Sequence, residues 1–216
     1  MTDFFSYNNT ILNLEGYEDK FHVNNVYCVG RNYIAHAEEM DADDRTLPFF
    51  FSKPNWTVLP SGSTIIFPKD TNNLNYEVEL VIAVGESKSI FGFGVGVDLT
   101  RRDIQGEAKK EGKPWFRGKC FIGSAPVSNI IPIKDRKVFD DLSLSLSVNG
   151  EVKQSGICKD MIWDIEEIMF ELTKEVPLNF GDLIFTGTPG GVGKLIKGDE
   201  VVASIPGYIE LEFKIC

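Results

Sequence analysis

The sequence predicts a strand-rich α+β fold with few and short helices. Segments in which apolar and polar residues alternate recur along the chain, at 76–84, 91–99 and 142–148, and a period of two is typical of β-strands. The last of these precedes Asn149-Gly150, a dipeptide that favours a two-residue hairpin turn. The clearest helix starts at Asp164, where the capping-box spacing to Glu167 predicts a helix to about Lys174.

Composition places the chain among ordinary globular domains. Its 216 residues are 43% hydrophobic and 25% charged, with a formal net charge of −10, and this length suffices for one domain with a substantial core. The acidic balance argues against nucleic acid and against an anionic membrane surface as partners, because both require a basic face. A small anionic substrate is still compatible, since a metal ion and a few basic residues can make a site locally positive.

The location expected from the sequence is the cytoplasm. No apolar run approaches the length of a membrane span, and the first residues lack the basic and apolar regions of a signal peptide. The four cysteines show neither metal-site nor disulfide spacing, and we expect them to be small buried hydrophobic residues: Cys28, Cys120, Cys158 and Cys216. Scattered cysteines of this kind agree with a reducing compartment.

The N-terminal part divides into two regions. The sequence predicts an edge strand and a loop for residues 1–25. We expect 26–216 to form a single domain that begins with a buried strand. Asn32 is suited to cap a short helix over about 32–44. On that helix His36 and Glu39 are i, i+3 neighbours, so the carboxylate can orient the imidazole and raise its basicity, as a general-base pair requires. An exposed surface pair without function would have the same spacing.

Three carboxylates make the segment 75–105 the most informative. Glu77 and Glu79 fall on one face of the first alternating segment, with Cα atoms about 6.5–7 Å apart. In the second segment Asp98 shares a face with three glycines, which indicates that another group approaches that face closely. The opposite face is expected to be apolar and to comprise Phe91, Phe93, Val95, Val97 and Leu99.

Two interpretations fit the paired glutamates. They lie either on a solvent-exposed face of an amphipathic strand or, together with Asp98, around a hard divalent cation. Three carboxylates without a nearby His or Cys disfavour zinc and copper. The cation would then be Mg²⁺ or Mn²⁺, with Ca²⁺ as a further alternative, and the octahedral geometry of Mg²⁺ would leave positions for water and substrate.

Two further stretches carry polar groups of interest. Lys119 stands among aromatic residues, where partial desolvation favours the neutral amine unless anions are near; a lysine that merely snorkels to the surface fits equally well. The glycine-rich segment 186–194 is not a phosphate loop, because Thr188 replaces a required glycine and Leu195 a required Ser or Thr. Its backbone N–H groups and the Thr188 hydroxyl can still serve a carboxylate.

Taken in order, these motifs resemble the fumarylacetoacetate hydrolase family, and most of all its acylpyruvate hydrolase and oxaloacetate decarboxylase branch. The resemblance runs from about Val26 to the C-terminus and does not cover residues 1–25. It is carried by six motifs in register: Gly30-Arg-Asn-Tyr33 with His36 and Glu39, Lys53-Pro54, Tyr76-Glu77-x-Glu79-Leu80, Asp98-x-x-x-Arg102-Asp103-x-Gln105, Lys119, and Thr186-Gly-Thr-Pro189-x-Gly-Val-Gly193.

The resemblance implies a mixed β-roll of the family's C-terminal domain type, a homodimer, and one catalytic domain over 26–216. It implies Mg²⁺ ligands at Glu77, Glu79 and Asp98, and catalytic roles for Lys119 and for His36 and Glu39 on a lid helix that orders when substrate binds. The groups that hold the substrate would be Arg102, Gln105 and Thr188, with Arg31 and Lys53 as less close matches. Arg101, Gly118 and Cys120 depart from the family pattern, which bears on substrate choice.

The family's chemistry implies a small anionic 2-oxo acid as substrate. Cleavage of the C3–C4 bond of a 3-acylpyruvate leaves a pyruvate enolate, and the metal lies where that charge develops. For hydrolysis, His36 with Glu39 would activate a water while Lys119 stabilises the oxyanion. Decarboxylation of oxaloacetate forms the same enolate without water.

Three functional hypotheses follow. The first is metal-dependent C–C hydrolysis of an acylpyruvate (acetylpyruvate or fumarylpyruvate), with or without oxaloacetate decarboxylation. The second is an isomerase or tautomerase that acts on a 2-hydroxy-dienedioate or on oxaloacetate. The third is a metal-binding relative without catalysis, against which the presence of His36, Gln105 and Lys119 argues.

Overall fold

The computed structural model describes residues 10–33 and 47–216. Its strands, in chain order, are β1 (Ile11–Asn13), β2 (Lys20–His22), β3 (Val26–Gly30), β4 (Phe49–Lys53), β5 (Val58–Pro60), β6 (Ser63–Ile65), β7 (Leu74–Tyr76), β8 (Val78–Val84), β9 (Ile90–Val97), β10 (Thr100–Arg101), β11 (Ala125–Val127), β12 (Ile131–Pro132), β13 (Ser143–Val148), β14 (Glu151–Ile157), β15 (Leu183–Phe185), β16 (Gly193–Leu195), β17 (Glu200–Ile205) and β18 (Ile209–Ile215). The prediction of a strand-rich fold is confirmed.

The described α-helices are short: α1 (Arg102–Lys110), α2 (Phe116–Lys119) and α3 (Ile165–Glu175). Four single-turn or two-turn 3₁₀ segments complete the helical structure of the described ranges: Asn55–Thr57, Glu86–Lys88, Arg136–Asp141 and Cys158–Asp160. In α3 the predicted capping box is confirmed, because the Asp164 side chain accepts from the Glu167 backbone N–H and the Glu167 side chain accepts from that of Asp164. One face of this helix is apolar and buried, through Ile165, Ile168, Met169 and Leu172, and the helix therefore serves as scaffold.

An eight-stranded mixed sheet forms the centre of the molecule. Seven of its strands follow the order β4-β3-β15-β8-β9-β11-β5, and β12 pairs with β9 beside β11. The pairs β3–β15 and β5–β11 are parallel, and the others in this sheet are antiparallel. A small sheet of order β10-β7-β16 continues from the ends of β8 and β9. The carboxylate-bearing segment thus lies where the two sheets meet.

A second sheet, of order β14-β13-β17-β18-β6, packs against the central one. Its β13–β14 hairpin has the predicted two-residue turn, with Asn149 and Gly150 at φ 52° and 80°. Positive φ at both turn positions is the geometry that an Asn-Gly sequence favours. A β-bulge lies between the Leu146 and Ser147 pairs, since Leu146 is opposite Gln154 but Ser147 is opposite Val152.

The two faces of β8 lie in two separate cores, as the alternation predicts. Val78 and Leu80 belong to a large core between the two sheets and α3, whereas Val81 and Ala83 belong to a smaller core on the opposite face. The prediction for Phe91 is wrong, because Phe91 packs on the smaller core and Ile90 on the larger one. A register shift between Ala83 and Val84 reverses the expected faces at this end of β9.

The glycine face of β9 is approached closely, as predicted, by the chain itself. A Cβ atom on Gly94 would lie 2.7 Å from Ser128 Oγ, and one on Gly96 would lie 2.7 Å from both Phe185 Cε1 and Val81 Cγ2. These glycines allow neighbouring segments to pack against β9 without a side chain between them. The β8–β9 pair is thereby fixed on both faces.

The N-terminal strands pack on the smaller core, and three of the four cysteines are buried. β1 and β2 pair with each other, and Leu12 and Phe21 are buried in the smaller core. Cys28, Cys120 and Cys158 are buried as expected, but the expectation is wrong for Cys216, which is exposed at the chain's last position. Among the described residues, no helix is both long enough and apolar enough to cross a membrane.

Candidate metal centre

The three predicted metal ligands converge at the junction of the two sheets. Glu77 separates β7 from β8, Glu79 is the second residue of β8, and Asp98 directly follows β9. The Asp98 backbone N–H donates to Glu77 O at 2.8 Å, which holds the two strand ends together. One ligand oxygen from each carboxylate lies within 4.8 Å of the others.

Burial decides between the two interpretations of the glutamate pair. The exposed fractions of Glu77, Glu79 and Asp98 are 5%, 2% and 1%. A solvent-exposed amphipathic face is therefore excluded. Three carboxylates are almost never buried together without compensating cations, because each charge loses its hydration.

Two basic side chains from the short helices contact this cluster directly. Lys119, the last residue of α2, donates from Nζ to Glu77 Oε2 at 2.7 Å and to Asp98 Oδ2. Arg102, the first residue of α1, donates from Nη2 to the other Glu77 oxygen. The short helices α1 and α2 thus bring both cations to the strand ends.

The charges in the cluster shift two pKa values in informative directions. Burial raises the pKa of Glu79 well above its ordinary value, and the charges of Asp98 and Glu77 raise it further. For Lys119, burial alone would lower the pKa, but Asp98 and Glu77 outweigh this effect and raise it above its ordinary value. The two carboxylates therefore favour the charged form of Lys119. The alternative of a lysine that snorkels to the surface is wrong, because the Lys119 side chain is buried.

Lys53 lies behind the cluster and does not line the pocket, so its assignment as a substrate-holding group is not supported by this geometry. Its Nζ is 2.7 Å from Asp98 Oδ1 and donates to the carbonyl oxygens of Lys119, Leu99 and Ser124. Three carbonyl acceptors use all three N–H donors of an ammonium group. Lys53 therefore holds Asp98 and the end of α2 in place.

The donor set fits a hard divalent cation. All three candidate ligands are carboxylates, the preferred ligands of Mg²⁺, Mn²⁺ and Ca²⁺. Among the described residues, Asp98 Oδ1 has a charge contact with Lys53 but no hydrogen-bond partner, so it retains acceptor capacity. Burial raises the pKa of Glu79, and repulsion from the Asp98 and Glu77 charges raises it further, so the charged form of Glu79 is disfavoured here. A cation at this point would relieve that repulsion.

The carboxylates face a pocket whose rim is basic and aromatic. Its walls include Arg31, Arg102, Gln105, Lys109, Lys119 and Thr188, together with Phe49, Phe51 and Trp115. Phe49 and Trp115 pack edge to face, with ring centroids 5.1 Å apart. Four basic side chains around one pocket favour an anionic ligand even though the protein is acidic overall.

Lys109 is a pocket residue that the sequence analysis did not single out. Its Nζ lies 4.8 Å from the Trp115 ring centroid, in a cation–π arrangement. Burial lowers the pKa of Lys109 to about 8, and the nearby charges of Arg102, Arg31 and Lys119 contribute to this decrease. In the sequence it looks like one of two solvated lysines at the end of a helix, and only the packing of α1 on α2 distinguishes it from Lys110.

The three predicted substrate-binding residues all line the pocket. Arg102 Nη1 donates to Gln105 Oε1 at 2.8 Å, which turns the amide nitrogen of Gln105 away from the arginine. Thr188 lies in the glycine-rich segment after β15, and the preceding Gly187 N–H donates to Glu79 Oε2 at 2.7 Å. The segment therefore does offer a backbone N–H to a carboxylate, as expected, and the carboxylate is a metal-ligand candidate.

The predicted lid dyad, His36 and Glu39, lies outside the described residues and stays a prediction, as does the lid helix from 34 onward. The predicted start of that helix is wrong, because Asn32 is not helical and Tyr33 forms an antiparallel bridge with Met161. The start of that segment is anchored by Asn32, which is buried. Asn32 Nδ2 donates to the carbonyl oxygens of Trp163 and Thr186, and its Oδ1 accepts from the Trp163 backbone N–H. The chain thus enters the segment from a point fixed beside the glycine-rich loop.

The chain is similar to known proteins in both sequence and structure. The model of the fumarylacetoacetate (FAA) hydrolase C-terminal family matches residues 25–216. The mitochondrial oxaloacetate tautomerase of Bos taurus is 38% identical over 201 residues, which span 88% of this chain and 91% of the relative. A fumarylpyruvate hydrolase of a Ralstonia species is 36% identical over 177 residues, 77% of this chain and 92% of the relative.

Among solved structures, the fumarylpyruvate hydrolase of Pseudomonas aeruginosa in complex with Mn²⁺ and pyruvate superposes with a TM-score of 0.93. It is 37% identical, and the match covers 98% of this chain and 97% of that chain. The predicted β-roll of this family is thereby confirmed.

Proposed function

We propose, since this chain belongs to the fumarylacetoacetate hydrolase family, that it is a metal-dependent enzyme that hydrolyses the C–C bond of a 3-acylpyruvate. Fumarylpyruvate and acetylpyruvate are the candidate substrates, and oxaloacetate decarboxylation is a second reaction of the same site. The observation that carries the proposal is the buried cluster of Glu77, Glu79 and Asp98 at the floor of a basic pocket. The similarity to a hydrolase described with Mn²⁺ and pyruvate supports it.

We propose Glu77, Glu79 and Asp98 as the ligands of Mg²⁺, with Mn²⁺ and Ca²⁺ as alternatives. When bound, such a cation supplies Lewis-acid stabilisation of the negative charge that accumulates at the 2-oxo end of the substrate. The three carboxylates are already contacted by three cations, Lys53, Lys119 and Arg102. A dication added to this balanced set leaves a net positive site, which suits a 2-oxo acid anion.

The chain's own residues would bind and orient the substrate. Arg102, with its guanidinium at Glu77 and Gln105, can reach a substrate carboxylate as a charged donor. The amide nitrogen of Gln105 and the hydroxyl of Thr188 supply neutral donors to the same pocket. Lys119 is charged and nearly excluded from water, and therefore can stabilise an oxyanion at the acyl carbon.

Hydrolysis also requires a base that removes a proton from water. His36, oriented by Glu39, is the proposed base. Substitution His36→Ala should therefore reduce hydrolysis of an acylpyruvate far more than decarboxylation of oxaloacetate, because only hydrolysis consumes an activated water. Equal losses of both rates would contradict this role.

A second candidate function is oxaloacetate tautomerisation, or isomerisation of a 2-hydroxy-dienedioate. It is favoured by the 38% identity to a relative named for oxaloacetate tautomerase activity. Tautomerisation needs proton transfer at C3 but no attacking water, so it makes no demand on a water-activating dyad. The same metal ligands and carboxylate-binding groups would serve.

The test is a rate measurement on acetylpyruvate, fumarylpyruvate and oxaloacetate, each with Mg²⁺ and with a chelator. We expect acylpyruvate hydrolysis that the chelator abolishes. If only the enol–keto exchange of oxaloacetate is accelerated, the second function replaces the first. If Glu77→Ala turns over every substrate at the unaltered rate, the metal-dependent proposal itself is wrong.

We further propose that the protein is a cytoplasmic homodimer whose partners are small molecules, without nucleic acid or membrane. The family resemblance supports the dimer, and the acidic charge of −10 supports the absence of nucleic-acid binding. Light scattering on the eluted protein should give twice the chain mass of 24.2 kDa. A mass of one chain at micromolar concentration would contradict the dimer.

A further inference from the structure

Gln154 occupies an unusual place in the hairpin of the second sheet. β14 is an edge strand, and Gln154 is the one buried side chain of its seven residues, with an exposed fraction of 1%. The β-bulge in the hairpin leaves Lys153 without a partner on β13, directly before Gln154. Bulges re-aim the side chains that follow them. Here the redirected residue is a polar amide that enters the interior next to the pocket.

The amide connects two parts of the candidate site. Gln154 Oε1 accepts from the Val78 backbone N–H at 2.9 Å, at the residue between the candidate ligands Glu77 and Glu79. Gln154 Nε2 donates to Thr188 Oγ1 and to Pro189 O, both at 2.9 Å. One side chain therefore joins the ligand-bearing strand to the loop that carries Thr188.

These contacts determine the direction of the Thr188 hydroxyl. The orientation of the amide is fixed, because the Val78 N–H requires an acceptor and the Pro189 carbonyl requires a donor. Since Nε2 can only donate, Thr188 Oγ1 is the acceptor in that bond. The hydroxyl hydrogen must then point elsewhere, and Thr188 lines the pocket.

We propose that Gln154 is a positioning residue that sets the Thr188 hydroxyl as a hydrogen-bond donor to the carboxylate of the bound 2-oxo acid. This inference rests on the proposed function, because it requires an anionic ligand at Thr188. It assigns to Gln154 an effect on the affinity for the ligand, transmitted through Thr188. The affinity for the metal alone should not be lost, since Gln154 contacts the strand of the candidate ligands through the Val78 backbone N–H.

Substitution Gln154→Glu tests the direction of the hydrogen bond between residue 154 and the Thr188 hydroxyl. A carboxylate can still accept a hydrogen bond from the Val78 N–H. At Thr188, however, it accepts a hydrogen bond from the hydroxyl, so that the hydroxyl hydrogen points away from the pocket. We expect KM, and the Kd for pyruvate on the Mn²⁺-loaded protein, to rise about tenfold or more, as for a lost hydrogen bond to a charged group. The Kd for Mn²⁺ alone should not rise, because an added carboxylate near the cation site can only make its potential more negative. Ser155→Ala, at an exposed position of the same strand, is the matched control and should change neither constant.

A double-mutant cycle separates positioning from general support of the fold. In a Thr188→Val background no hydroxyl remains to orient, so Gln154→Glu should add less than about a twofold change. A full additional loss in that background, or an equal loss of Mn²⁺ affinity, would overturn the proposal. If Gln154→Glu does not fold, Gln154→Met, which removes the donor without adding charge, enters the same cycle.

The outcomes also distinguish this inference from the proposed function. If the wild-type protein with Mn²⁺ binds neither pyruvate nor oxalate, both are wrong. If the wild type binds pyruvate and Gln154→Glu binds it equally well, the proposed function stands and the role of Gln154 is overturned.

Discussion

At the residue scale, the charge of the site is distributed unequally over its three carboxylates. Glu77 is contacted by Arg102 and Lys119, and Asp98 by Lys53 and Lys119, whereas Glu79 accepts a hydrogen bond from a backbone N–H. Burial and the two neighbouring carboxylates raise the pKa of Glu79 accordingly. Glu79 therefore gains most from a bound cation and is the most costly of the three without one.

This difference predicts opposite effects of two conservative substitutions. In the metal-free protein, Glu79→Gln should raise Tm by about 3 °C or more, because it removes a repelled charge and keeps an acceptor for Gly187 N–H. Glu77→Gln should lower Tm, since it leaves the buried charges of Lys119 and Arg102 less compensated. Both should lose metal-dependent activity. Calorimetry of the metal-free variants measures the direction of both Tm changes. A lower Tm for Glu79→Gln would contradict the unequal charge compensation of the three carboxylates.

The lowered pKa of Lys109 predicts that substrate binding depends on pH. A lysine with a pKa of about 8 is charged below that pH and neutral above it. An anionic substrate should therefore bind more tightly at a pH below 8 than at a pH above 8. As a result, kcat/KM should fall as the pH rises above 8. Lys109→Arg keeps the charge at high pH and should remove this decrease, whereas the exposed Lys110→Arg should retain it. Persistence of the decrease in Lys109→Arg would show that another group causes it.

At the scale of elements, the site depends on how closely β9 is packed. Gly96 lies between Phe185 and Val81, two residues of the smaller core, and pairs with Glu79 across the β8–β9 ladder. The absence of a side chain at Gly96 thus allows the ligand-bearing strands to sit against the core. A side chain added at Gly96 has to displace the Phe185 ring or the Val81 side chain.

The stability effect of this packing can be measured with two alanine substitutions. Gly96→Ala should destabilise the protein by about 1–3 kcal/mol, as overpacking of a core does. Gly106→Ala is the control: it lies within α1, nothing surrounds its Cβ position within 4 Å, and it should stabilise the helix by up to about 1 kcal/mol. Urea unfolding gives both free energies. A neutral Gly96→Ala would mean that β9 can move without cost.

The elements also show how far the sequence alone leads. The alternation of β8, the Asn149-Gly150 turn and the capping box of α3 depend on local patterns and were predictable. The face of β9 on which Phe91 lies could not be predicted, because the register shift at Ala83 is set by pairing between strands. The burial of Glu77 and Glu79 was equally undecided, since a solvent-exposed strand has the same i, i+2 pattern.

At the scale of the whole molecule, the site forms where chain segments far apart in sequence meet. Lys53 from β4, the carboxylates around β8 and β9, Lys119 from α2 and Thr188 after β15 come together because the mixed central sheet places β15 beside β8. The family motifs in the sequence identified most of these residues, but they gave no information on how the side chains are arranged in space. They could not show that Lys53 supports Asp98 from behind, nor that Gln154 reaches the site from the second sheet.

In the proposed site, Glu77, Glu79 and Asp98 together hold one divalent cation, and a 2-oxo acid binds to that cation. Crystals grown with Mn²⁺ and oxalate, measured at a wavelength where manganese scatters anomalously, test it directly. We predict one anomalous peak, about 2.1–2.3 Å from an oxygen of each carboxylate, with oxalate on its open side. A map with no peak there, and with Lys119 still bridging Glu77 and Asp98, would contradict the claim.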